Sequence, residues 1–378
     1  MIYNETIYNT GWNTKKLNQL GTFSRGKSTH RPRDDKRLFE DGKYPFIQTG
    51  EVKSSNLFIS NHKLNYNEFG LLQSKMWKKG TLCITIAANI AETGILSYPM
   101  CFPDSIVGFN AYDEEISEIF MYYIFQYIKS SIQRSASGSI QDNINIDYLQ
   151  ELYFKVPDRK AQIEIEKILS NIDLKINNNI QINNNLEELI YTVYMYKFGN
   201  KKANGVIGDI IVENSKSPIK VGEAKDTTGI YPFFTSGDSI LEWNEYLVDG
   251  RNMFLNTGGN ADVKFYVGKA MYSTDTWCIT TCKDMSDYLY LYFKSIKKEL
   301  NRKFFHGSGL KHLQKPLLKE EPIYIPSREE IVDFNDAIQP MFDTISSNMI
   351  ENKKLVSLRD FLLPMLMNGQ INVDDIKI

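Results

Sequence analysis

Two stretches of the sequence gather side chains that can neutralise phosphate. Between Lys15 and Arg37 stand eight basic residues (Lys15, Lys16, Arg25, Lys27, Arg31, Arg33, Lys36, Arg37) against Asp34 and Asp35, a local charge of +6. Between Lys294 and Lys319 stand eight more (Lys294, Lys297, Lys298, Arg302, Lys303, Lys311, Lys315, Lys319) against Glu299, a local charge of +7. Such density suits a polyanion, because phosphate contacts hold a protein on a duplex without reading its sequence. Base edges are read instead by a few Arg, Lys, Asn, Gln, Ser or Thr side chains with matched donors and acceptors. In the first half of the chain the candidates for contact with DNA are Arg25, Lys27, Ser28, Arg31, Arg33, Lys36, Arg37, Gln48, Lys53, Asn89, Ser139, Gln141 and Asn143. In the second half they are Thr235, Ser236, Asn256, Asn260, Lys264, Lys303, Ser308 and Lys311. One such cluster is an ordinary solvated face; its recurrence in each half argues for a ligand.

Signs of catalysis are missing from the sequence. There is no Gly-x-x-x-x-Gly-Lys-Ser/Thr phosphate loop and no Asn/Asp-Pro-Pro-Tyr/Phe, the motif that holds an adenine amine in amino-methyltransferases. Gly307-Ser308-Gly309 lacks the third glycine and the preceding strand of a dinucleotide loop. His30, His62, His306 and His312 are scattered. Cys278 and Cys282 lie one helical turn apart, but Cys83 and Cys101 have no metal-ligand spacing, so no metal site is expected. The 22 Tyr and 21 Phe are read as core packing ahead of base stacking. No catalytic residue and no cofactor are assigned to this chain.

The elements that must position these residues come in duplicate. Tyr44-Pro45-Phe46 recurs as Tyr231-Pro232-Phe233, an offset of 187, and the same offset takes Gly21 to Gly208, Ser28 to Ser215 and Gly50 to Gly237. Further on the offset falls to 168–170: Gly80 meets Gly250, Phe125 meets Phe293, Gly138 meets Gly307 and Pro157 meets Pro326. Matches that keep their order at two successive offsets mean a duplicated unit. Each copy opens with short β-rich runs such as residues 46–48, 81–86 and 106–109, broken by Gly, Pro and Asn. A helix follows at residues 116–131 in the first copy and 287–303 in the second.

Each copy ends in a long helical stretch. Residues 159–198 contain no Pro or Gly, and a heptad count from Ile165 gives a seam of Ile165, Ile168, Ile172, Ile182, Leu186, Leu189 and Val193, with Tyr196 beyond and Lys175 and Asn179 between. Residues 329–363 give Ile331, Phe334, Ile338, Ile345, Leu355 and Leu362, with Met341, Asn348, Asn352 and Arg359 at the intervening positions. Pro340 should kink this helix, and Pro364 with Gly369 should close it. Asn179 and Asn352 are read as solvated ahead of register-setting. The other copy's helix is the nearest partner, and antiparallel pairing would relate the copies by a pseudo-two-fold. The expected fold is therefore α+β: two duplicated mixed α/β domains, joined and followed by long helices that form an antiparallel coiled coil. The boundaries are 1–157 and 200–326 for the domains, 158–199 and 327–378 for the helices and tail.

The residues then resemble a known family. Trp12-Asn-Thr-Lys-Lys-Leu-Asn-Gln-Leu-Gly21 with Arg25-Gly26-Lys27-Ser28 looks like the opening of a type I restriction–modification specificity (S) subunit. So do Tyr44-Pro45-Phe46-Ile47-Gln48-Thr49-Gly50-Glu51-Val52, the run from Gly80 to Gly94, the stretch Ser137–Ile144, and Phe154-Lys155-Val156-Pro157 before a long helix. The second copy departs, with Gly307-Ser308-Gly309-Leu310 where the first has a Gln-containing stretch. The resemblance implies a non-catalytic subunit whose two target-recognition domains each read half of a bipartite sequence in double-stranded DNA, while the helices set the spacing. It implies methyltransferase (M) subunits, two of them, docked on the helices and methylating adenine with S-adenosylmethionine. Restriction (R) subunits with ATP and Mg can join them. The rival reading is a protein-binding adaptor with two globular domains on a coiled-coil spacer.

Composition agrees with a soluble protein. Of 378 residues, 44 are Lys or Arg and 46 Asp or Glu, a net charge of −2 that excludes a uniformly basic, histone-like chain. No run approaches 18 apolar residues, and the opening MIYNETIYNTGWNTKK has no apolar core, so neither a membrane span nor a secretory signal is expected. Four cysteines fit a reducing cytoplasm. The near-neutral total conceals local patches: residues 1–155 balance 17 basic against 16 acidic, and residues 204–326 balance 15 against 15.

Overall fold

A computed structural model describes residues 4–137, 144–225, 227–307, 309 and 311–371. Ser139, Gln141, Asn143 and Ser308 lie outside the described residues. The chain divides into two compact units, residues 1–178 with 352–378, and residues 179–351.

The first unit is built on a five-stranded sheet in the order β2 (Gly21–Arg25), β10 (Ile106–Ala111), β7 (Leu82–Thr85), β8 (Thr93–Leu96) and β4 (Phe58–Ile59). A second sheet runs β5 (Leu64–Tyr66), β3 (Tyr44–Phe46), β9 (Met100–Cys101) and β6 (Met76–Trp77). Short helices α1 (Leu17–Leu20), α2 (Thr49–Ser54), α3 (Glu68–Leu72) and α5 (Ile146–Gln150) connect these strands. Helix α4 (Glu118–Ser137) buries Phe120, Ile124 and Phe125 against Leu82, Ile84, Val107 and Phe109 of the main sheet. β1 (Asn13–Lys16) pairs antiparallel with β11 (Tyr153–Val156), tying the start of the domain to its end.

The second unit repeats this plan. Its main sheet runs β13 (Ile211–Glu213), β19 (Thr276–Thr281), β16 (Arg251–Asn256) and β17 (Val263–Val267); the smaller one runs β15 (Ile240–Trp243), β14 (Tyr231–Phe234) and β18 (Met271–Tyr272). β12 (Gly205–Val206) pairs with β22 (Pro322–Ile323) as β1 does with β11, and β20 (Phe305–His306) pairs with β21 (His312–Leu313). Helices α7 (Val221–Ala224), α8 (Ser286–Ser295), α9 (Lys297–Lys303) and α10 (Lys315–Lys319) complete it. The Tyr-Pro-Phe tripeptides make the same connections: each strand has one antiparallel and one parallel neighbour, and Phe46 opposes Cys101 where Phe233 opposes Met271. Gly80 (φ +86°) and Gly250 (φ +93°) adopt the same left-handed turn before β7 and β16, a conformation that only glycine takes without strain. The helix expected over 287–303 is broken at Ile296 into α8 and α9.

The long helices are α6 (Arg159–Phe198) and α11 (Arg328–Met367), each 40 residues and so about 60 Å. They run antiparallel. In the second unit Asn179 Nδ2 donates to Glu351 Oε2 at 2.6 Å and Asn348 Nδ2 to Asn183 Oδ1 at 2.8 Å. In the first unit Asn352 Nδ2 donates to the Ile176 carbonyl at 3.4 Å, and Arg359 meets Asp173 at 2.9 Å. Three expectations need correction. Asn179 is buried, a bonded member of the seam. α11 runs past Pro364, because burial of Leu366 and Met367 in the first core outweighs one missing N–H, and it ends at Met367 just before Gly369 (φ +77°), the closing residue that was expected.

The third correction concerns the heptad seam. Ile165, Ile168 and Ile172 are buried, as are Ile331, Phe334, Ile338 and Ile345, while Leu186, Val193, Leu355 and Leu362 are half-buried. Ile182 and Leu189, however, are 45% and 47% exposed, and Tyr196 is 90% exposed. The buried line follows Ile165, Leu169, Ile172, Ile176, Asn179, Ile190, Tyr194 and Phe198. A helix at 3.6 residues per turn drifts about 20° per heptad from a strict 3.5 repeat, and α6 packs on domain cores rather than on α11 alone.

Candidate nucleic-acid interface

In each unit the loops at one end of the main sheet are stitched together by backbone hydrogen bonds. In the first, Ile86 N–H donates to Ser105 O at 2.9 Å and Ile144 N–H to Ile86 O at 3.1 Å. In the second, Thr257 N–H donates to Asp275 O at 3.2 Å and Leu313 N–H to Thr257 O at 3.0 Å. These are corresponding bonds at an offset of 169 to 171, so both copies build the same platform from different loops. The platforms hold residues 86–92 with 103–105 and 144–145 in one copy, and 257–262 with 273–275, 306–307, 309 and 311–312 in the other.

The first platform carries a cleft of about 330 Å³ lined by Arg25, Arg33, Ala87, Asp104, Ser105 and Asn145. Arg25 reaches it from the end of β2, where Gly26 must lie so close to the Phe102 and Pro103 carbonyls that a Cβ would clash. Arg33 is held bidentately by Asp104 at 2.7 and 3.0 Å. Arg31 spends donors on the Ser28 and His30 carbonyls at 2.7 and 2.8 Å. Asp35 accepts from Arg37 at 2.6 Å and meets His30 at 2.8 Å; the Arg37 guanidinium holds this carboxyl well below the usual carboxylate range. Ser28 is buried, Lys27 and Lys36 are exposed, and exposed Gln48 starts α2. Lys53 Nζ donates to Asn89 Oδ1 at 3.3 Å, bringing those two candidates together.

In the second platform several candidates turn out to build the loops themselves. Asn256 is buried; its amide donates to Gly258 O at 3.1 Å and to Asn260 O, and its Oδ1 accepts from Asp262 N–H at 2.7 Å. Thr235 is buried and donates to Ser239 O at 2.6 Å. Lys264 Nζ caps the Thr235 carbonyl at 3.1 Å and the Gly237 carbonyl at 2.5 Å. With their polar atoms spent inward, these three support the loops. Ser236 donates to the Asp275 carbonyl, and Asn260 and Lys311 remain exposed, the Lys311 carbonyl accepting from Gly259 N–H at 2.9 Å.

The charge clusters are thinner than their sequence totals. Lys15 pairs with Glu115, Lys16 with Glu151 at 3.7 Å, and Arg33 and Arg37 are paired as above. Among the described residues Arg25, Lys27, Arg31 and Lys36 have no carboxylate partner. In the second cluster Lys294 pairs with Glu187, Lys297 with Asp262, Lys303 with Glu321, and Lys315 and Lys319 share Glu213. Lys303 is thereby drawn into an internal ion pair, while Lys298, Arg302 and Lys311 have no carboxylate partner among the described residues. Sequence reasoning missed Asp104, Ser105 and Asn145; the 170-residue offset that relates Ser105 to Asp275 was the available signal. Cys278 is buried, with burial pushing its thiol up to about 12, and Asn214 Nδ2 lies 3.3 Å from its sulfur.

A domain present twice, with a basic loop-built end in each copy and a long helix after each, defines a duplicated protein whose two units present the same kind of surface. The chain belongs to the type I restriction modification DNA specificity domain family, whose profile matches residues 9–188 and again 201–358. It serves DNA-sequence specificity in a type I restriction–modification system. Over 97% of its length it is 20% identical to the MjaIX specificity subunit of Methanocaldococcus jannaschii, covering 94% of that protein. A shorter match, 37% identical, joins 22% of the chain to 19% of the HindI specificity subunit of Haemophilus influenzae. The fold matches the crystal structure of a type I restriction–modification system S subunit from M. genitalium with a TM-score of 0.65 and 16% identity, over 97% of this chain and 99% of that one. No helix among the described residues is long and apolar enough to cross a membrane.

Proposed function

We propose that the two platforms read the two halves of a bipartite sequence in double-stranded DNA, and that α6 and α11 set the spacing between the halves. The observation that carries this reading is the platform itself: the same backbone scaffold occurs twice, with uncompensated basic side chains and different loop residues in each copy. Different loops present different donors and acceptors, so the half-sequences differ. The chain itself is non-catalytic. Adenine methylation with S-adenosylmethionine belongs to two M subunits, and ATP- and Mg-dependent cleavage to R subunits where they join; the assembly works in the cytoplasm. The apolar residues that the internal seam leaves outside, Ile182, Leu189 and Tyr196, repeat every seven residues along α6 and suit the packing of a partner helix from an M subunit. Complexes assembled with the M subunits and mapped for methylated adenine across genomic DNA should yield one sequence in two separated parts. A single contiguous motif would refute the reading.

A further inference from the structure

On the second unit a cluster of lysines surrounds one carboxylate. Lys319 Nζ lies 2.5 Å from Glu213 Oε1 and Lys315 Nζ 4.0 Å from Oε2, an oxygen that also accepts from Trp277 Nε1 at 2.7 Å. Lys315 sits over the Trp277 ring, 4.7 Å from its centroid. Burial holds the Lys315 ammonium below its ordinary value; Glu213 opposes that shift, and the nearby charges of Lys319 and Lys216 add to it. Lys216 is exposed and has no carboxylate partner among the described residues. Lys315 and Lys319 share one carboxylate, and Lys216 adds a third ammonium whose charge bears on Lys315, which leaves a positive excess.

The position of Lys216 is as telling as its charge. In the first copy β2 runs out into Lys27-Ser28, with Lys27 exposed and Ser28 buried; in the second, β13 ends at Glu213 and is followed by Asn214, Ser215 and then Lys216-Ser217, with Lys216 exposed and Ser217 buried. Three residues beyond Lys216, Ile219 O accepts from Thr274 N–H at 2.8 Å, joining this segment to the loop that carries Asp275 in the second platform.

We propose that Lys216, Lys315 and Lys319 form a phosphate clamp, holding the backbone of a DNA duplex against the second domain beside its reading loops. The clamp rests on the reading of this domain as DNA-contacting, and phosphodiester is the anion it fits: one exposed ammonium on Lys216 and two half-buried, partly neutralised ones on Lys315 and Lys319, beside loops that present base-reading groups. It adds affinity uniformly and carries no sequence information. The test uses the chain complexed with its M subunits, titrated against the methylated target sequence and a scrambled duplex across a range of salt. Lys216→Gln should lower the slope of log affinity against log salt by about one on both duplexes and leave the methylated sequence unchanged. Glu213→Gln keeps an acceptor for Trp277 and frees the two lysines, so it should steepen the slope. An unchanged slope in K216Q, beside a salt-dependent parent complex, would overturn the clamp alone. So would weaker M-subunit binding at an unchanged slope, which would assign the lysines to an acidic protein surface. A parent complex whose DNA binding ignored salt would overturn the DNA-contact reading as well.

Discussion

At the scale of single residues, each unit relies on one fully buried carboxylate held by an arginine. In the first, Asp173 accepts from Arg359 at 2.9 Å and from the Tyr123 hydroxyl at 2.8 Å; in the second, Asp287 accepts from Arg251 at 2.7 Å and Gln339 at 3.3 Å. Removing one partner of such a pair strands a charge that has already lost its water. Arg359→Met should destabilise the first unit by about 3–5 kcal/mol in denaturant unfolding, and adding Asp173→Leu should restore most of that loss. A mild effect of the single change would mean that Asp173 is hydrated. A second prediction concerns Glu330, whose carboxyl accepts from Ser327 N–H at 2.9 Å, the Tyr324 hydroxyl at 2.8 Å and Lys201 at 3.1 Å. The Ser327 amide, then Tyr324 and Lys201, hold it at about 2, below the ordinary 4.5. A depressed carboxyl stabilises the fold above its unfolded value and loses that stabilisation as pH falls through its folded value. The Tm gap between the parent and Glu330→Gln should therefore be full at pH 7 and close between about pH 4.5 and 2; a gap independent of pH would contradict this.

Among the elements, the long helices were the most legible part of the sequence, and their seam the least. An uninterrupted run from Arg159 to Phe198 could be read directly, because nothing in it breaks a helix. Which face is buried depends on what each turn meets. Over the domain cores that face follows 3.6 residues per turn, so Ile190 is buried while its neighbour Leu189 is half-exposed. Ile190→Ala should cost about 2–5 kcal/mol of stability, and Leu189→Ala well under 1 kcal/mol. Equal costs in urea unfolding would restore the strict heptad seam. The platforms show the same division. The duplicated strands were visible as repeated Tyr-Pro-Phe and Gly, since backbone geometry demands those residues. The burial of Thr235 and Asn256 was not visible, because a polar side chain that ties a loop and one that faces DNA have the same chemistry.

For the whole molecule, duplication explains why a net charge of −2 coexists with DNA recognition. Each copy balances its basic residues with acidic ones, and many of the balancing carboxylates are internal ion-pair partners that thin the apparent patches to a few free cations at each platform. Two heads on one chain make the central claim separable: each platform should govern its own half of the target and nothing else. The direct measurement is the adenine methylation pattern of complexes carrying Arg25→Ala with Lys27→Ala in the first platform, or Asn260→Ala with Lys311→Ala in the second. The account predicts that the first pair relaxes or abolishes recognition of one half-sequence and leaves the other intact, and that the second pair does the reverse. Variants that altered both halves together, or left both unchanged, would contradict it.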